Sequence, residues 1–199
     1  MFPLFETIKT VDGNLKNLDF HEKRFRYSFH KFYGKPPGYK LKEVIRVPDN
    51  FNTGLVKTRF RYNNKNFNIE YSFYKARKIN TLKIVHSNDI KYSMKFTDRN
   101  QINRLFELRE NSDDILIVKN GFFTDTSICN VLFFKNGKWF TPGNPLLKGT
   151  CRERLLLEKK IIEKKIHVND LQSFENFALI NAMIWSDKFK PIPIKNIHY

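Results

Sequence analysis

Hydrophobic and polar positions alternate with two different periods along the first third of the chain. Residues 5–10 alternate with a period of two, which predicts a strand. Residues 20–33 carry phenylalanines at three- and four-residue spacing, which predicts a helix. Two further strands are predicted at Leu55–Tyr62 and Phe67–Phe73, on either side of an asparagine-rich turn. Residues 1–77 are therefore predicted to form a small α+β domain.

The second part of the chain, residues 78–199, mixes short apolar strands with amphipathic helices. Leu82–His86 and Asp114–Lys119 predict strands, and the second of these ends at a tight-turn dipeptide. Apolar residues at helical spacing predict helices at residues 97–110 and 151–166. Because strands and helices do not alternate strictly, we expect a larger domain with mixed sheets rather than a doubly wound sheet. The predicted fold class is α+β.

Composition and charge restrict the classes of protein to which the chain can belong. The chain has 199 residues and 41% hydrophobic side chains, which is enough for a packed core. Its formal net charge is +16, but the lysines are spread along the whole chain, which favours a solvated basic surface over a nucleic-acid-binding module. We find neither an apolar run of membrane-spanning length nor a signal-peptide pattern. The spacing of the two cysteines and five histidines indicates no metal site, and so few cysteines suit a reducing cytoplasm.

Five short motifs follow one another in a fixed order and carry the candidate chemistry. They are His21-Glu22-Lys23-Arg24-Phe25, Met94-Lys95, the segment from Asp113 to Val131 with its Thr124-Asp125 pair and Asn130, Leu147-Lys148-Gly149-Thr150-Cys151-Arg152, and Asn181-Ala182-Met183. In this order and spacing they resemble the class IV aminotransferase family, the fold type IV enzymes that use pyridoxal 5′-phosphate (PLP). The resemblance is greatest to the group of aminodeoxychorismate lyases and branched-chain aminotransferases. It implies PLP at the interface of two domains, and a homodimer.

The resemblance implies a role for each motif. Lys95 would hold PLP as a Schiff base, which requires this lysine to lose its proton. Arg24 would bind the cofactor phosphate through parallel N–H groups of its guanidinium. Gly149, Thr150 and Cys151 would offer backbone N–H groups to an anion at the start of a helix. The alternative for this last motif is an ordinary helix start with Thr150 as the N-cap.

Asp125 would pair with the pyridine nitrogen of PLP and keep that nitrogen protonated. The family usually has Glu at this position, and Asp is shorter by one methylene, so the backbone must come closer or a water must bridge. The alternative is an Asp that bonds the backbone of its own turn. Asn130 would support the site by hydrogen bonding, and Asn181 and Ala182 would belong to the cofactor site.

Arg59 and Arg61 alternate with aromatic residues on one predicted strand, so their side chains face the same way. That face could receive a substrate carboxylate, or it could be an exposed sheet surface. A further departure from the family is a shortened N-terminus, because members usually begin with an extra strand pair and a loop. The small domain is expected to be trimmed accordingly.

Two reactions on an amino substrate fit the resemblance. One is the elimination of pyruvate from 4-amino-4-deoxychorismate, which gives 4-aminobenzoate, and the compact chain favours it. The other is transamination of a branched-chain or D-amino acid. In both, Lys95 would shuttle a proton as general base and acid. A cofactor-binding remnant without activity stays open, as does a basic nucleic-acid-binding module, although the latter does not explain the ordered motifs.

Overall fold

The computed structural model describes residues 1–184 and 189–199, which form two compact units. Unit 1 contains Met1–Ala76 and the short segment Met94–Asp98. Unit 2 contains Arg77–Ser93 and Arg99–Tyr199. The segment that carries Lys95 therefore belongs to unit 1, whereas the sequence analysis placed it in the second domain.

Unit 1 is built on a four-stranded antiparallel sheet in the order β2-β1-β3-β4. The bounds of its elements are β1 Leu4–Val11, β2 Asn14–Leu15, α1 Leu18–Tyr33, α2 Leu41–Val44, a 3-10 turn at Asp49–Phe51, β3 Leu55–Tyr62 and β4 Phe67–Phe73. The predicted strands and helix of this region are confirmed, with small differences at the ends of β1 and α1.

The core of unit 1 lies between α1 and one face of this sheet. Phe25 of α1 packs edge-on against Phe60 and Tyr62 of β3, with ring centroids 5.8 and 4.8 Å apart. Ile8 of β1 is fully buried in the same cluster. Glu6 of β1 shares this face with Ile8, because side chains two residues apart in a strand point the same way. A carboxylate is thus placed in an aromatic core.

Unit 2 contains a mixed sheet in the order β10-β9-β8-β7-β6-β5-β13, and β11 pairs with both β8 and β12. Its elements are β5 Leu82–His86, α3 Asn100–Glu107, β6 Asp114–Lys119, β7 Phe122–Thr126, β8 Asn130–Lys135, β9 Lys138–Pro142, α4 Thr150–Leu157, β10 Ile162–Lys164, a 3-10 turn at Val168–Ser173, β11 Asn176–Ile180, β12 Ile192–Pro193, a 3-10 turn at Ile194–Asn196 and β13 Ile197–His198. Parallel and antiparallel pairs occur together, since β5 pairs in parallel with β6, and β6 pairs antiparallel with β7. The predicted mixed sheet and α+β class are confirmed.

The helix predicted at residues 151–166 is wrong in its second half. The helix α4 ends at Leu157, and Lys159 adopts a left-handed conformation with φ of 56°. The N–H of Lys160 then bonds the carbonyl of Leu155, and that of Lys159 bonds Leu156, which is the Schellman arrangement that ends a helix. The chain continues into β10, which pairs in parallel with β9. A lysine in place of the usual glycine at the left-handed position concealed this end in the sequence.

Within the described residues, the helices are too short or too polar to cross a membrane.

Candidate active site

A buried carboxylate on β1 meets two basic side chains on α1. Glu6 Oε1 accepts a hydrogen bond from Arg24 Nε at 2.9 Å, and Glu6 Oε2 accepts one from Arg24 Nη2 at 2.5 Å. His21 Nδ1 lies 2.7 Å from Glu6 Oε2. The side chains of Glu6 and His21 are 1% exposed, while that of Arg24 is 12% exposed. Arg24 thus lies at the edge of the buried cluster.

The charges of this cluster follow from its burial and pairing. Burial alone would raise the pKa of Glu6, but Arg24 and His21 outweigh it and lower that pKa to about 2. Burial lowers the pKa of His21, which favours the neutral imidazole. An ionised carboxylate can only accept hydrogen bonds. The Nδ1 of His21 therefore carries the hydrogen and donates a hydrogen bond to Glu6. Glu6 is therefore a fixed negative charge beside the Arg24 guanidinium.

Lys95 is fixed to the same strand by backbone hydrogen bonds. The N–H of Phe5 donates to the carbonyl of Lys95 at 3.1 Å, and the N–H of Thr97 donates to Pro3 at 2.8 Å. Lys95 Nζ lies 4.7 Å from the centroid of the Phe5 ring. Its charge also lowers the pKa of His21, although less than burial does. The structure therefore brings two predicted site residues, Lys95 and Arg24, to one strand of unit 1.

Arg59 and Arg61 project from the same face of β3, as predicted, but they have different partners. The guanidinium carbon of Arg59 lies 4.5 Å from the centroid of the Phe5 ring, the ring that Lys95 also contacts. Arg61 Nη2 lies 3.2 Å from Glu70 Oε2 on the neighbouring strand β4. Arg59 therefore contacts the same ring as Lys95, and Arg61 belongs to a cross-strand ion pair.

Asp125 lies on β7 in unit 2, and its carboxylate is held by groups outside its own turn. Oδ1 accepts a hydrogen bond from Asn130 Nδ2 at 2.7 Å, and Oδ2 accepts one from the N–H of Leu147 at 2.9 Å. Burial raises the pKa of Asp125 to about 6, although both hydrogen bonds favour the ionised form. The alternative of an Asp that bonds its own turn is wrong. Asp125 is a buried carboxylate whose charge is incompletely stabilised.

Asn130 joins Asp125 to the turn that precedes α4. Its Nδ2 also donates to the carbonyl of Leu147 at 3.0 Å. A Cβ on Gly149 would lie 2.0 Å from Asn130 Oδ1, so only glycine fits there. Gly149 is the N-cap of α4 and Thr150 is its first residue, so Thr150 is not the N-cap that the alternative interpretation assumed. The first turn of α4 thus begins beside the Asp125–Asn130 pair.

Asn181 and Ala182 follow β11, and Asn181 lies close to the loop between β7 and β8. Asn181 Oδ1 accepts hydrogen bonds from the N–H groups of Met183 and Ile184 at 2.8 and 2.9 Å, which forms a local turn. Asn181 Nδ2 lies 3.2 Å from Cys129 Sγ, one residue before Asn130. The side chain of Asn181 is thus used in shaping this loop.

Two residues of the site received no role from the sequence. Glu6 could have been found, because the strand pattern places it on the same face as apolar Ile8, where an unpaired carboxylate would be costly. Arg152 is 1% exposed and donates to the carbonyl of Pro142 at 2.9 Å and to the carboxylate of Glu163. These two partners come from β9 and β10, so no local pattern could indicate them. Among residues 1–184 and 189–199, no group of His, Cys, Asp and Glu could hold a metal ion.

Similarity to known proteins extends over nearly the whole chain. A family model described as amino-transferase class IV matches residues 57–187. An uncharacterized protein of Haemophilus influenzae is 40% identical over 185 residues, which cover 92% of this chain and 98% of that protein. A crystal structure from Haemophilus somnus, provisionally assigned as a 4-amino-4-deoxychorismate lyase, has 39% identity and a TM-score of 0.88, and covers 92% of this chain and 97% of that chain.

A second crystal structure, from Mesorhizobium loti, shares the fold at lower sequence identity. It is provisionally assigned as an amino-acid aminotransferase, with 20% identity and a TM-score of 0.80 over 96% of this chain and 99% of that chain. This chain therefore matches both structures over nearly their whole length.

Proposed function

The chain belongs to the class IV aminotransferase family and has the fold of its type IV enzymes, and on this premise we propose that it is a PLP-dependent 4-amino-4-deoxychorismate lyase. The observation that carries the proposal is the position of Lys95, which is fixed to β1 beside Phe5, next to the Glu6–Arg24 pair. The relative provisionally assigned as a lyase, at 39% identity, supports the choice of reaction within the family.

The residues present fit PLP. The cofactor needs an amine for its aldehyde, N–H donors for its phosphate and a carboxylate for its pyridine nitrogen. Lys95 would supply the amine and Arg24 the phosphate contact, while Asp125 would supply the carboxylate. Gly149 is the N-cap of α4, and the N–H groups in the first turn of a helix favour an anion. Each group that the cofactor requires is thus matched by a residue of suitable chemistry.

PLP, which Lys95, Arg24 and Asp125 would hold, would supply an aldehyde for the substrate amine and an electron sink for the bond that breaks. The protein groups would hold the reacting atoms and move protons. Lys95 Nζ would take a proton from the substrate carbon and later return one, as general base and acid. Asp125 would hold the proton on the pyridine nitrogen, because a buried carboxylate with a raised pKa gains from a nearby cation.

Arg59 would bind a carboxylate of the substrate. 4-Amino-4-deoxychorismate carries two carboxylates in addition to its amine, and a guanidinium binds a carboxylate through two parallel hydrogen bonds. Arg59 and Lys95 both lie within 5 Å of the centroid of the Phe5 ring, so their cationic groups are within about 9 Å of each other. Arg61 is paired with Glu70 and would contribute less.

The assembly and compartment follow from the family in the same way. A homodimer is the state that the resemblance implies, and sedimentation of the purified protein would test it. Cys129 and Cys151 are buried and are not joined in a disulfide, which suits a reducing cytoplasm.

Product analysis tests the proposed reaction. The purified protein, supplied with PLP and 4-amino-4-deoxychorismate, should release 4-aminobenzoate and pyruvate in equal amounts. Borohydride should fix the cofactor onto Lys95, as seen by peptide mapping. Lys95→Ala should lose both properties, while Lys91→Ala, which removes an exposed lysine four residues earlier in the sequence, should keep them.

Amino transfer to a 2-oxo acid without release of 4-aminobenzoate would replace the lyase by an aminotransferase. Bound PLP without either reaction would indicate a cofactor-binding remnant.

A further inference from the structure

We propose that Glu6 is the positioning residue of the phosphate-binding arginine: its carboxylate holds one edge of the Arg24 guanidinium, so that the adjacent edge is presented to the cofactor phosphate. The inference rests on the proposed function, because it takes PLP as the ligand. It assigns to β1 a part in cofactor binding that none of the five sequence motifs contains.

The hydrogen bonds fix the plane of the guanidinium. Glu6 accepts from Nε and from Nη2 of Arg24 through its two oxygens, at 2.9 and 2.5 Å. Two parallel bonds between planar groups define an orientation as well as a distance. The adjacent edge, formed by Nη1 and Nη2, thereby has a fixed direction as well. An arginine that is already oriented loses less conformational entropy when it binds an anion.

Because Glu6 is buried, its pairing with Arg24 cannot easily be replaced by other contacts. Glu6 is fully buried, and an unpaired carboxylate in that position would be strongly destabilising. Arg24 therefore cannot turn away from Glu6 without leaving a buried charge. The Arg61–Glu70 pair of the same sheet differs, because the side chain of Glu70 is 46% exposed and water can replace its partner.

His21 supports the same orientation from the other side of the carboxylate. Its Nδ1–H donates to Glu6 Oε2, the oxygen that also accepts from Arg24 Nη2. Neutral His21 leaves the Glu6–Arg24 pair without net charge. The contribution of Arg24 to phosphate binding then comes from directed hydrogen bonds more than from long-range attraction. This distinction decides which variants test the inference.

Glu6→Asp is the informative substitution. It keeps every charge but withdraws the carboxylate by one methylene, whereas Glu6→Gln would keep the position and remove the charge. The measurement is the ratio of the dissociation constants for pyridoxal and PLP, which isolates the part of the affinity that the phosphate supplies. We expect Glu6→Asp to lower this ratio about tenfold, the effect of one charge-assisted hydrogen bond. A general loss of folding would weaken both ligands and leave the ratio unchanged.

Arg24→Lys provides a second variant that does not depend on the folding of the first. A lysine keeps the positive charge, but its single ammonium cannot reproduce the two planar edges by which a guanidinium would serve Glu6 and the phosphate together. The ratio should fall about tenfold or more in Arg24→Lys. The double variant Glu6→Asp/Arg24→Lys should lower the ratio little further, because both changes remove the same contact. Glu70→Asp, which shortens the partner of Arg61, should leave the ratio as in the wild type.

The outcomes separate the inference from the proposed function. A wild-type ratio in Glu6→Asp, together with a reduced ratio in Arg24→Lys, would show that Arg24 binds phosphate without help from Glu6 and would overturn the inference. A wild-type ratio in Arg24→Lys would overturn it as well. Wild-type protein that binds PLP at no lysine, or at one other than Lys95, would overturn the proposed function and the inference with it.

Discussion

Gly149 and Asn130 approach each other so closely that a Cβ on residue 149 would lie 2.0 Å from Asn130 Oδ1. The backbone of Gly149 has φ of −69°, which any residue adopts, so the glycine is required by this contact and not by its conformation. Asn130 is also the residue that holds Asp125 and the carbonyl of Leu147. The spacing between the Asp125 strand and the start of α4 therefore depends on a missing side chain.

Gly149→Ala should displace Asn130 and weaken its bond to Asp125. We expect a loss of roughly 1–3 kcal/mol in the free energy of unfolding, as for other overpacked sites, and weaker PLP binding. Urea denaturation and cofactor titration would measure these effects. Gly38→Ala is the matched control, because nothing lies within 4 Å of a Cβ at that position. Equal stability of the two variants would contradict the close contact.

Arg59 and Arg61 offer a second matched pair. Arg59→Ala should raise the KM for 4-amino-4-deoxychorismate about tenfold to a hundredfold, because it removes a charge-assisted bond to a substrate carboxylate. Arg61→Ala removes a guanidinium from the same face, but one that is paired with Glu70, and should change KM by less than about threefold. Steady-state kinetics at saturating PLP would decide. Equal increases in KM would mean that this face of β3 attracts the substrate through its positive charge and not through a specific contact with Arg59.

The extent to which the sequence predicted this structure varies with the range of the interactions involved. Strands β3 and β4 were predicted at both ends, because their apolar alternation and turn residues are local. The end of α4 was missed because Lys159 takes a left-handed conformation that local preference assigns to glycine. The place of Lys95 in unit 1 depends on backbone pairing with β1, about 90 residues earlier in the chain.

Prediction of the candidate site from the sequence was also limited by the range of the interactions. Arg24, Lys95 and Asp125 could be selected from the order of their motifs, but their partners could not. Leu147 bonds Asp125 through its backbone N–H, which leaves no trace in residue type. Glu6 was visible as a carboxylate on an apolar strand face, and only the folded structure shows that Arg24 balances it.

The pKa values of Asp125 and Glu6 predict opposite effects of pH on the stability of the apoprotein. Asp125 has a folded pKa of about 6, above its ordinary value of 3.8, so its stabilising contribution is complete below pH 3.8 and is lost as pH rises through 6. The loss is on the order of 3 kcal/mol. Glu6 has a folded pKa of about 2, below its ordinary 4.5, so its contribution is present above pH 4.5 and is lost as pH falls through 2.

Asp125→Asn isolates the first of these two effects. The variant should lose the decrease in stability that the wild type shows between pH 4 and 7, whatever constant cost the amide adds by facing the N–H of Leu147. Urea denaturation at several pH values gives the slope directly. An unchanged slope would mean that another group titrates in this range.

Asp125→Asn and Arg24→Ala should impair the enzyme in different ways. Asp125→Asn should retain PLP but lose most of its turnover, because a neutral amide cannot hold a proton on the pyridine nitrogen and the ring then accepts electrons less well. Arg24→Ala should weaken PLP retention about tenfold to a hundredfold by removing a charge-assisted phosphate contact, and excess PLP should restore much of its activity. Activity measured against PLP concentration separates the two, since one variant saturates to near wild-type turnover and the other saturates at a low plateau. Full rescue of Asp125→Asn by PLP would show that the carboxylate only supports the turn at Leu147 and Gly149. The partner of the pyridine nitrogen would then have to be sought at another residue.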